Sequence, residues 1–217
     1  MTDPNVTRRL AAILAADVVG YSKMMGADEV GTLAALRDIW HDQFNPCVAD
    51  HNDRIAKMMG DGALVEFASV VDAVSCAVAF QKRMVIHNDD AAKRIEFRIG
   101  VNLGDIVIEN GDIFGDGVNI AARLESLAPH GGILTSDSVH SQIVGRVDAT
   151  FTDAGELELK NIDRPLRCWR WDGKASAVEA SSAPMDQKIH FCTSFDGAEI
   201  AYAMAGSGPP WFGRRIG

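Results

Sequence analysis

Asn119 and Arg123 stand four positions apart in the run Ile113-Phe114-Gly115-Asp116-Gly117-Val118-Asn119-Ile120-Ala121-Ala122-Arg123-Leu124. If residues 117–128 are helical, Val118, Ala121, Ala122 and Leu124 form an apolar face, and Asn119 and Arg123 share another. An amide beside an always-charged planar guanidinium suits a transferring phosphoryl group. Gly115 and Gly117 let the backbone turn and approach a ligand closely before the helix begins. Alone, the stretch reads as a helix with two solvated polar residues; its company elsewhere in the chain argues otherwise.

That company is a pair of carboxylates. Asp17 interrupts the near-continuous apolar run from Leu10 to Val19, which has the pattern of a central strand covered on both faces. A carboxylate there costs stability unless something cationic pairs with it. Asp61 sits in Gly60-Asp61-Gly62, between the strand-like runs 54–59 and 63–67, a hairpin pattern. Either residue alone reads as a turn or cap; together they favour a magnesium site awaiting phosphate oxygens.

The elements that must position these residues follow from periodicity. Gly20-Tyr21-Ser22 turns the chain, a long helical pattern runs from Asp28 to His51, and an amphipathic helix runs from Val70 to His87. Ile95, Phe97, Ile99 and Val101 alternate in a strand over 94–108, with a bulge or bend at Gly104-Asp105. A short strand at 132–135, a helix near 136–144, and strands including 156–160 and 166–171 come next. Strand, helix, hairpin, helix, strand is the order of a ferredoxin-like βαββαβ core, an α+β fold, here with additional C-terminal strands and a helix. In that layout the end of the first strand lies beside the hairpin turn, so Asp17 and Asp61 converge.

Composition bounds the partners. The 217 residues are 47% hydrophobic and 24% charged, with 21 Lys and Arg against 30 Asp and Glu, a net charge of −9. That argues against broad binding to nucleic acid or anionic membranes. Cys47, Cys76, Cys168 and Cys192 are scattered, as in reduced cytoplasmic proteins. Arg8-Arg9 before the apolar run mimics a short signal peptide, but Asp17 ends the run without a typical cleavage context. No other run approaches the roughly 18 apolar residues of a membrane span, so no membrane insertion is expected.

Asp17-Val18-Val19-Gly20-Tyr21, Lys57-Met58-Met59-Gly60-Asp61-Gly62 and Asp112-Ile113-Phe114-Gly115…Asn119-Ile120-Ala121-Ala122-Arg123 together resemble the class III nucleotidyl cyclase catalytic domain. The three motifs occur in the family's order within roughly residues 8–172. The resemblance implies that Asp17 and Asp61 bind two divalent ions, Mg²⁺ or Mn²⁺, one activating the ribose 3′ oxygen and one neutralising the triphosphate. It implies that Lys57 and Asp112 read the base, the ammonium donating to adenine N1 and the carboxylate accepting from the exocyclic amine. Guanylate cyclases of the family usually carry Glu and Cys there, so ATP is the expected substrate. By the same resemblance Asn119 would orient the ribose and Arg123 would stabilise charge developing on the phosphates, and Lys160 is a looser match to a phosphate-binding lysine, followed by Asn161 where the family usually has Gly. Sites of the family are shared across a dimer interface. All six principal positions occur in this chain, which implies a homodimer with two equivalent sites.

The expected activity is therefore that of an adenylate cyclase, converting ATP to 3′,5′-cyclic AMP and pyrophosphate. A non-catalytic ATP-sensing module is the alternative, although Asp17, Asp61, Asn119 and Arg123 are all retained. A diguanylate cyclase stands further back, because its Gly-Gly-Asp/Glu-Glu-Phe hairpin is missing. The expected organisation is a cyclase domain over 1–172, a linker over 173–187 where Ala and Ser accumulate, and a segment over 188–217. That last segment resembles the opening hairpin of an α/β-hydrolase around Asp196-Gly197, without a G-x-S-x-G elbow, as in a fragment of a cyclase–hydrolase fusion or a poorly ordered tail.

Overall fold

A computed structural model describes residues 6–51, 54–109, 112–160, 162, 164–173, 188–193 and 199–204. The chain divides into two compact units, Met1–Ala175 and Ser176–Gly217. In the first, β1 (Val6–Val18) leads into α1 (Tyr21–Ala27), α2 (Glu29–Ile39), a π-helical turn (Trp40–Phe44) and α3 (Asn45–Ala49). Then come β2 (Arg54–Met59), β3 (Gly62–Phe67), α4 (Val70–Asp90), β4 (Phe97–Glu109), β5 (Asp112–Phe114) and α5 (Asp116–Leu127). The unit closes with β6 (Ile133–Ser136), α6 (Asp137–Ile143), β7 (Thr152–Leu157) and β8 (Leu166–Trp171).

The strands lie in the order β2-β3-β1-β4-β6-β8-β7, with β5 paired to β4. Among the first four each strand is antiparallel to its neighbours, the expected βαββαβ core. β6 joins β4 in parallel, and β8 and β7 follow antiparallel.

Residues 11–16 of β1 are buried on both faces, as their apolar run requires, whereas Leu10, expected in the same covered run, is exposed. Ala12, Leu14, Ala16 and Val18 face the larger core, while Ala11, Ile13 and Ala15 face a smaller one with Ile106, Val118 and Ala121. The larger core centres on four rings. Trp40 meets Phe44 and Phe97, and Phe80 meets Phe44 and Phe97, all edge-to-face with centroids 4.8–5.2 Å apart.

The helix expected over 28–51 is instead α2, a π turn and α3. Pro46 has no N–H to offer the Asp42 carbonyl, and just before it the ladder widens so that the Asn45 N–H reaches the Trp40 carbonyl. Ahead of α2, residues expected only to turn form α1, which starts from Gly20 at φ 69°.

Gly104 marks no bulge. The β1–β4 register runs unbroken through Ala11↔Gly104 and Leu10↔Asp105. The glycine answers to α5 instead. A Cβ there would lie 2.8 Å from the Gly117 Cα, and one at Gly100 would lie 2.2 Å from the Glu125 nitrogen. Between them buried Asn102 donates from Nδ2 to the Gly117 carbonyl at 3.1 Å. β4 thus turns a Gly-Asn-Gly row to α5, and the helix backbone rests almost on the strand. Ala122, expected on the apolar face of this helix, is exposed; Glu125 takes a buried position beside Gly117, Val118, Ala121 and Leu124. β7 also ends earlier than expected, leaving Lys160 in a turn.

In the second unit, β9 (Lys188–Thr193) pairs antiparallel with β10 (Glu199–Met204), the two strands of the expected hairpin. The Asp196-Gly197 turn, positions 174–187 of the expected linker, residues 205–217 and Asn161 lie outside the described residues.

Gly100→Ala should lower stability by about 1–3 kcal/mol in urea denaturation, because the methyl group meets helix backbone rather than a flexible side chain. Gly26→Ala, where a Cβ meets nothing within 4 Å, is the matched control. Equal stabilities for the two variants would contradict the close docking of α5 on β4.

Candidate active site

Asp17 is the penultimate residue of β1 and lies between two cross-strand neighbours, Gly62 of β3 and Arg98 of β4. The missing side chain of Gly62 makes room for the carboxylate: a Cβ there would stand 3.3 Å from Asp17 Oδ1. Gly60 turns the hairpin at φ +63° and brings Asp61 to the same end of the sheet. Asp17 finds its cation in Arg98, whose Nη2 donates to Asp17 Oδ2 at 3.1 Å. Burial and then the nearby charge of Asp61 push the Asp17 carboxyl up, against the hydrogen bond and charge of Arg98.

Two neighbouring hard oxygen donors of like charge, which Arg98 neutralises only in part, fit a divalent cation. Among the described residues no group of three or more His, Cys, Asp and Glu converges on one point. Further ligands of such an ion would be supplied by backbone carbonyls, water or a bound anion, as suits a hard ion such as Mg²⁺ or Mn²⁺.

A second pair forms on the hairpin's outer strand. Lys57 follows a bulge between Ile55 and Lys57 in β2, a device that re-aims a side chain. Its Nζ donates to Asp112 Oδ2 at 2.5 Å, while Asp112 Oδ1 accepts from the Ile113 N–H at 2.9 Å. The Lys57 hydrogen bond, then the backbone one, hold the Asp112 carboxyl below the usual range. Met58, Met59 and Phe114, near this pair in sequence, are 43–47% exposed.

The structure therefore brings Asp17 to Asp61 and Lys57 to Asp112. Asn119 and Arg123 lie on the exposed side of α5, and Lys160 is exposed in its turn. Within the described residues none of these three side chains makes a hydrogen bond or ion pair with either acidic site.

Two charged residues beside Asp17 escaped the sequence reading. Arg98 binds Asp17, lies 3.2 Å from Glu125 Oε1, and donates from Nη1 to the Ser126 carbonyl at 3.2 Å. Their signals were present. Arg98 heads the Arg-Gly-Asn-Gly row at alternate positions of β4, and Glu125 falls on the buried stripe of α5. Burial pushes the Glu125 carboxyl up to about 7; Arg98 opposes the rise, and Asp17 and Asp61 add to it.

Residues 7–173 match the family of the adenylate and guanylate cyclase catalytic domain. The chain belongs to that family and carries a nucleotidyl cyclase catalytic domain. It is 49% identical over 181 residues to "Putative adenylate cyclase 3" of Rhizobium meliloti (strain 1021), covering 82% of this chain and 31% of that protein. It is 27% identical over 152 residues to an adenylate cyclase of Streptomyces coelicolor, covering 70% of this chain and 39% of that one. The chain thus spans roughly a third of the length of these curated relatives. A crystal structure of an adenylate/guanylate cyclase/hydrolase from Silicibacter pomeroyi superposes with a TM-score of 0.74 at 44% identity, over 77% of this chain and 99% of that one. The adenylyl cyclase CyaB of P. aeruginosa shares the fold at 23% identity and a TM-score of 0.67, over 76% of this chain and 95% of that one. No helix among the described residues is long and apolar enough to cross a membrane.

The raised carboxyl of Glu125 has a thermodynamic signature. The folded chain keeps this proton up to about pH 7, whereas the unfolded chain releases it near 4.5. The unfolded state binds fewer protons between those values, so stability falls as pH rises through them. With EDTA present, wild type should lose up to on the order of 3 kcal/mol relative to Glu125→Gln between about pH 5 and about pH 8. Urea denaturation at the two ends measures it, and parallel pH slopes would show that Glu125 ionises normally.

Proposed function

We propose that this chain is an adenylate cyclase that forms 3′,5′-cyclic AMP and pyrophosphate from ATP at two sites shared across a homodimer. The observation that carries the base preference is the Lys57–Asp112 pair, a donor and an acceptor fixed side by side at 2.5 Å. Adenine offers an acceptor at N1 and a donor at its exocyclic amine, which match the ammonium and the carboxylate. Guanine offers a donor at N1 and an acceptor at O6, so both contacts become repulsive.

In this reading Asp17 and Asp61 hold the divalent ions. When bound, such ions supply acidification of the ribose 3′ hydroxyl and neutralisation of phosphate charge. The 3′ oxygen forms a bond to the α-phosphorus, the bond from that phosphorus to the bridging oxygen breaks, and pyrophosphate leaves. Asn119 orients the ribose so that its 3′ oxygen lies in line with the leaving group. Arg123 offers fixed donors to the charge that builds on the phosphate oxygens, and Lys160 adds a point charge to the triphosphate.

A shared site is supported by where one protomer leaves its groups. Asn119 and Arg123 face solvent, away from the protomer's own contacts with Asp17, and exposed Met58, Met59 and Phe114 lie near the base-reading pair in sequence. A two-fold partner that covers this surface would bring its own Asp17 and Asp61 to them.

Incubation with ATP or GTP and Mn²⁺, with products resolved by chromatography, tests the reaction. Wild type should yield cyclic AMP and Asp61→Ala none; cyclic GMP as the main product would overturn the role of Lys57 and Asp112. No product from a folded dimer would move the reading to a nucleotide-binding module. Mixing Asp17→Ala with Arg123→Ala chains should recover up to about a quarter of wild-type activity, because half the dimers are mixed and each holds one intact site. Mixtures that stay inactive while both chains dimerise would rule out shared sites.

A further inference from the structure

Arg98 is held from two sides. Its Nη2 lies between Asp17 Oδ2 at 3.1 Å and Glu125 Oε1 at 3.2 Å, and its Nη1 donates to the Ser126 carbonyl. Two of these three contacts come from the C-terminal end of α5. Nε of the same guanidinium is buried with no hydrogen-bond partner among the described residues, so its donors are not all satisfied in this arrangement. Glu125 itself is only 9% exposed and sits on a stripe otherwise made of Gly117, Val118, Ala121 and Leu124. A carboxylate on that stripe is costly as packing, and its visible compensation is the charge contact with Arg98 at 3.2 Å, since Glu125 Oε1 is buried with no hydrogen-bond partner among the described residues.

We propose that Glu125 is a positioning residue for the metal-binding carboxylates: it draws the Arg98 guanidinium toward α5 and so keeps Asp17 available to a divalent cation.

The physical argument has two parts with the same sign. A guanidinium shared between two carboxylates binds each less tightly than it would bind one alone. Without the charge of Glu125, the attraction of Arg98 falls wholly on Asp17, and an incoming cation must compete with it. The negative charge of Glu125 also adds to the field of Asp17 and Asp61 that attracts the cation. Loss of this charge therefore weakens cation binding on both counts.

The inference rests on the shared-site reading in one respect and extends it. Asn119 and Arg123, on the exposed face of α5, serve the partner's metal half-site, whereas Glu125, on the buried face, serves the half-site of its own chain. One helix thus contributes to two different active sites, one from each face.

The first measurement is Mn²⁺ binding to the full-length protein by electron paramagnetic resonance, with 3′-deoxy-ATP present so that no turnover occurs, and well above neutral pH so that Glu125 is ionised. Glu125→Gln should raise the Mn²⁺ dissociation constant on the order of tenfold. Glu125→Asp, which keeps the charge, should bind more tightly than Glu125→Gln. Unchanged affinity in a folded Glu125→Gln protein, or equal weakening in both variants, overturns the proposal.

The second measurement uses mixed dimers of an Asp17→Ala chain and an Arg123→Ala chain, whose single intact site takes Asp17 from the latter and Arg123 from the former. Glu125→Gln placed on the Arg123→Ala chain should raise the Mn²⁺ requirement several-fold more than the same substitution on the Asp17→Ala chain. The reverse order would mean that Glu125 merely supports Asn119 and Arg123 on its own helix, and would sink the proposal. Inactive mixed dimers with Glu125 intact would remove the shared-site reading alone, since the resonance titration still decides what Glu125 does for Asp17.

Discussion

A carboxylate near the end of the central strand is the constraint that the rest of the catalytic unit accommodates. Asp17 is flanked in sequence by buried Ala16 and Val18, where a bare charge could not stay. Three local features make it tenable. β4 places Arg98 directly across the ladder, β3 presents Gly62 so that nothing crowds the carboxylate, and the Gly60 turn opens the hairpin beside it. The two glycines around Asp61 therefore do different jobs, one for conformation and one for space. What remains after Arg98 is an acidic pair in which burial, and then the repulsion of Asp61, raise the Asp17 carboxyl, a place that gains from a further cation.

The second organising feature is the approach of α5 to β4. A helix normally packs on a strand through side chains, but Gly100 and Gly104 remove them, and Asn102 fastens the helix by one hydrogen bond to the Gly117 carbonyl. Close docking has two consequences for the site. It carries Glu125 and the Ser126 carbonyl within reach of Arg98, and so links the helix to Asp17 through one guanidinium. It also fixes the rotation of the helix about its axis, which leaves Asn119 and Arg123 facing outward. In the proposed reading the outer face completes a neighbour's site while the inner face conditions its own.

Much of this was legible in the sequence because the informative residues were out of character with their surroundings. Asp17 in an apolar run and Asp61 between glycines announced themselves, and the order of periodic segments was enough for the βαββαβ core. What was missed had been read one residue at a time. Gly104 looked like a bulge because its partner, the backbone of α5, is distant in sequence. Arg98 was passed over because only the apolar alternation of Ile95, Phe97, Ile99 and Val101 was read, although its neighbours on the other side were Gly100, Asn102 and Gly104 and could not form a solvated face. Ala122 and Glu125 exchanged places because hydrophobicity alone ranked the alanine as buried. A charged partner on β4, the strand against which α5 packs, accompanies the buried glutamate, and no local pattern contains such a partner. The π turn before Pro46 was likewise invisible to a 3.6-residue period, which assumes the ladder it interrupts.

In the proposed reading, the Lys57–Asp112 pair bears on selectivity more than on affinity. An exposed ammonium and carboxylate that already neutralise each other gain little net energy from a base that replaces water around them. The bulge that aims Lys57 and the Ile113 N–H that holds Asp112 limit how far either group can turn to suit a different base. A fixed donor next to a fixed acceptor therefore acts mainly through mismatch: the wrong base meets two unfavourable contacts and cannot induce the pair to exchange roles. In the proposed reading, adenine preference follows from the rigidity of two short elements, β2 and β5, and the energy that binds the nucleotide comes from its phosphates at the other half-site. Base choice and phosphate grip are then separable properties, carried by opposite subunits of the same active site.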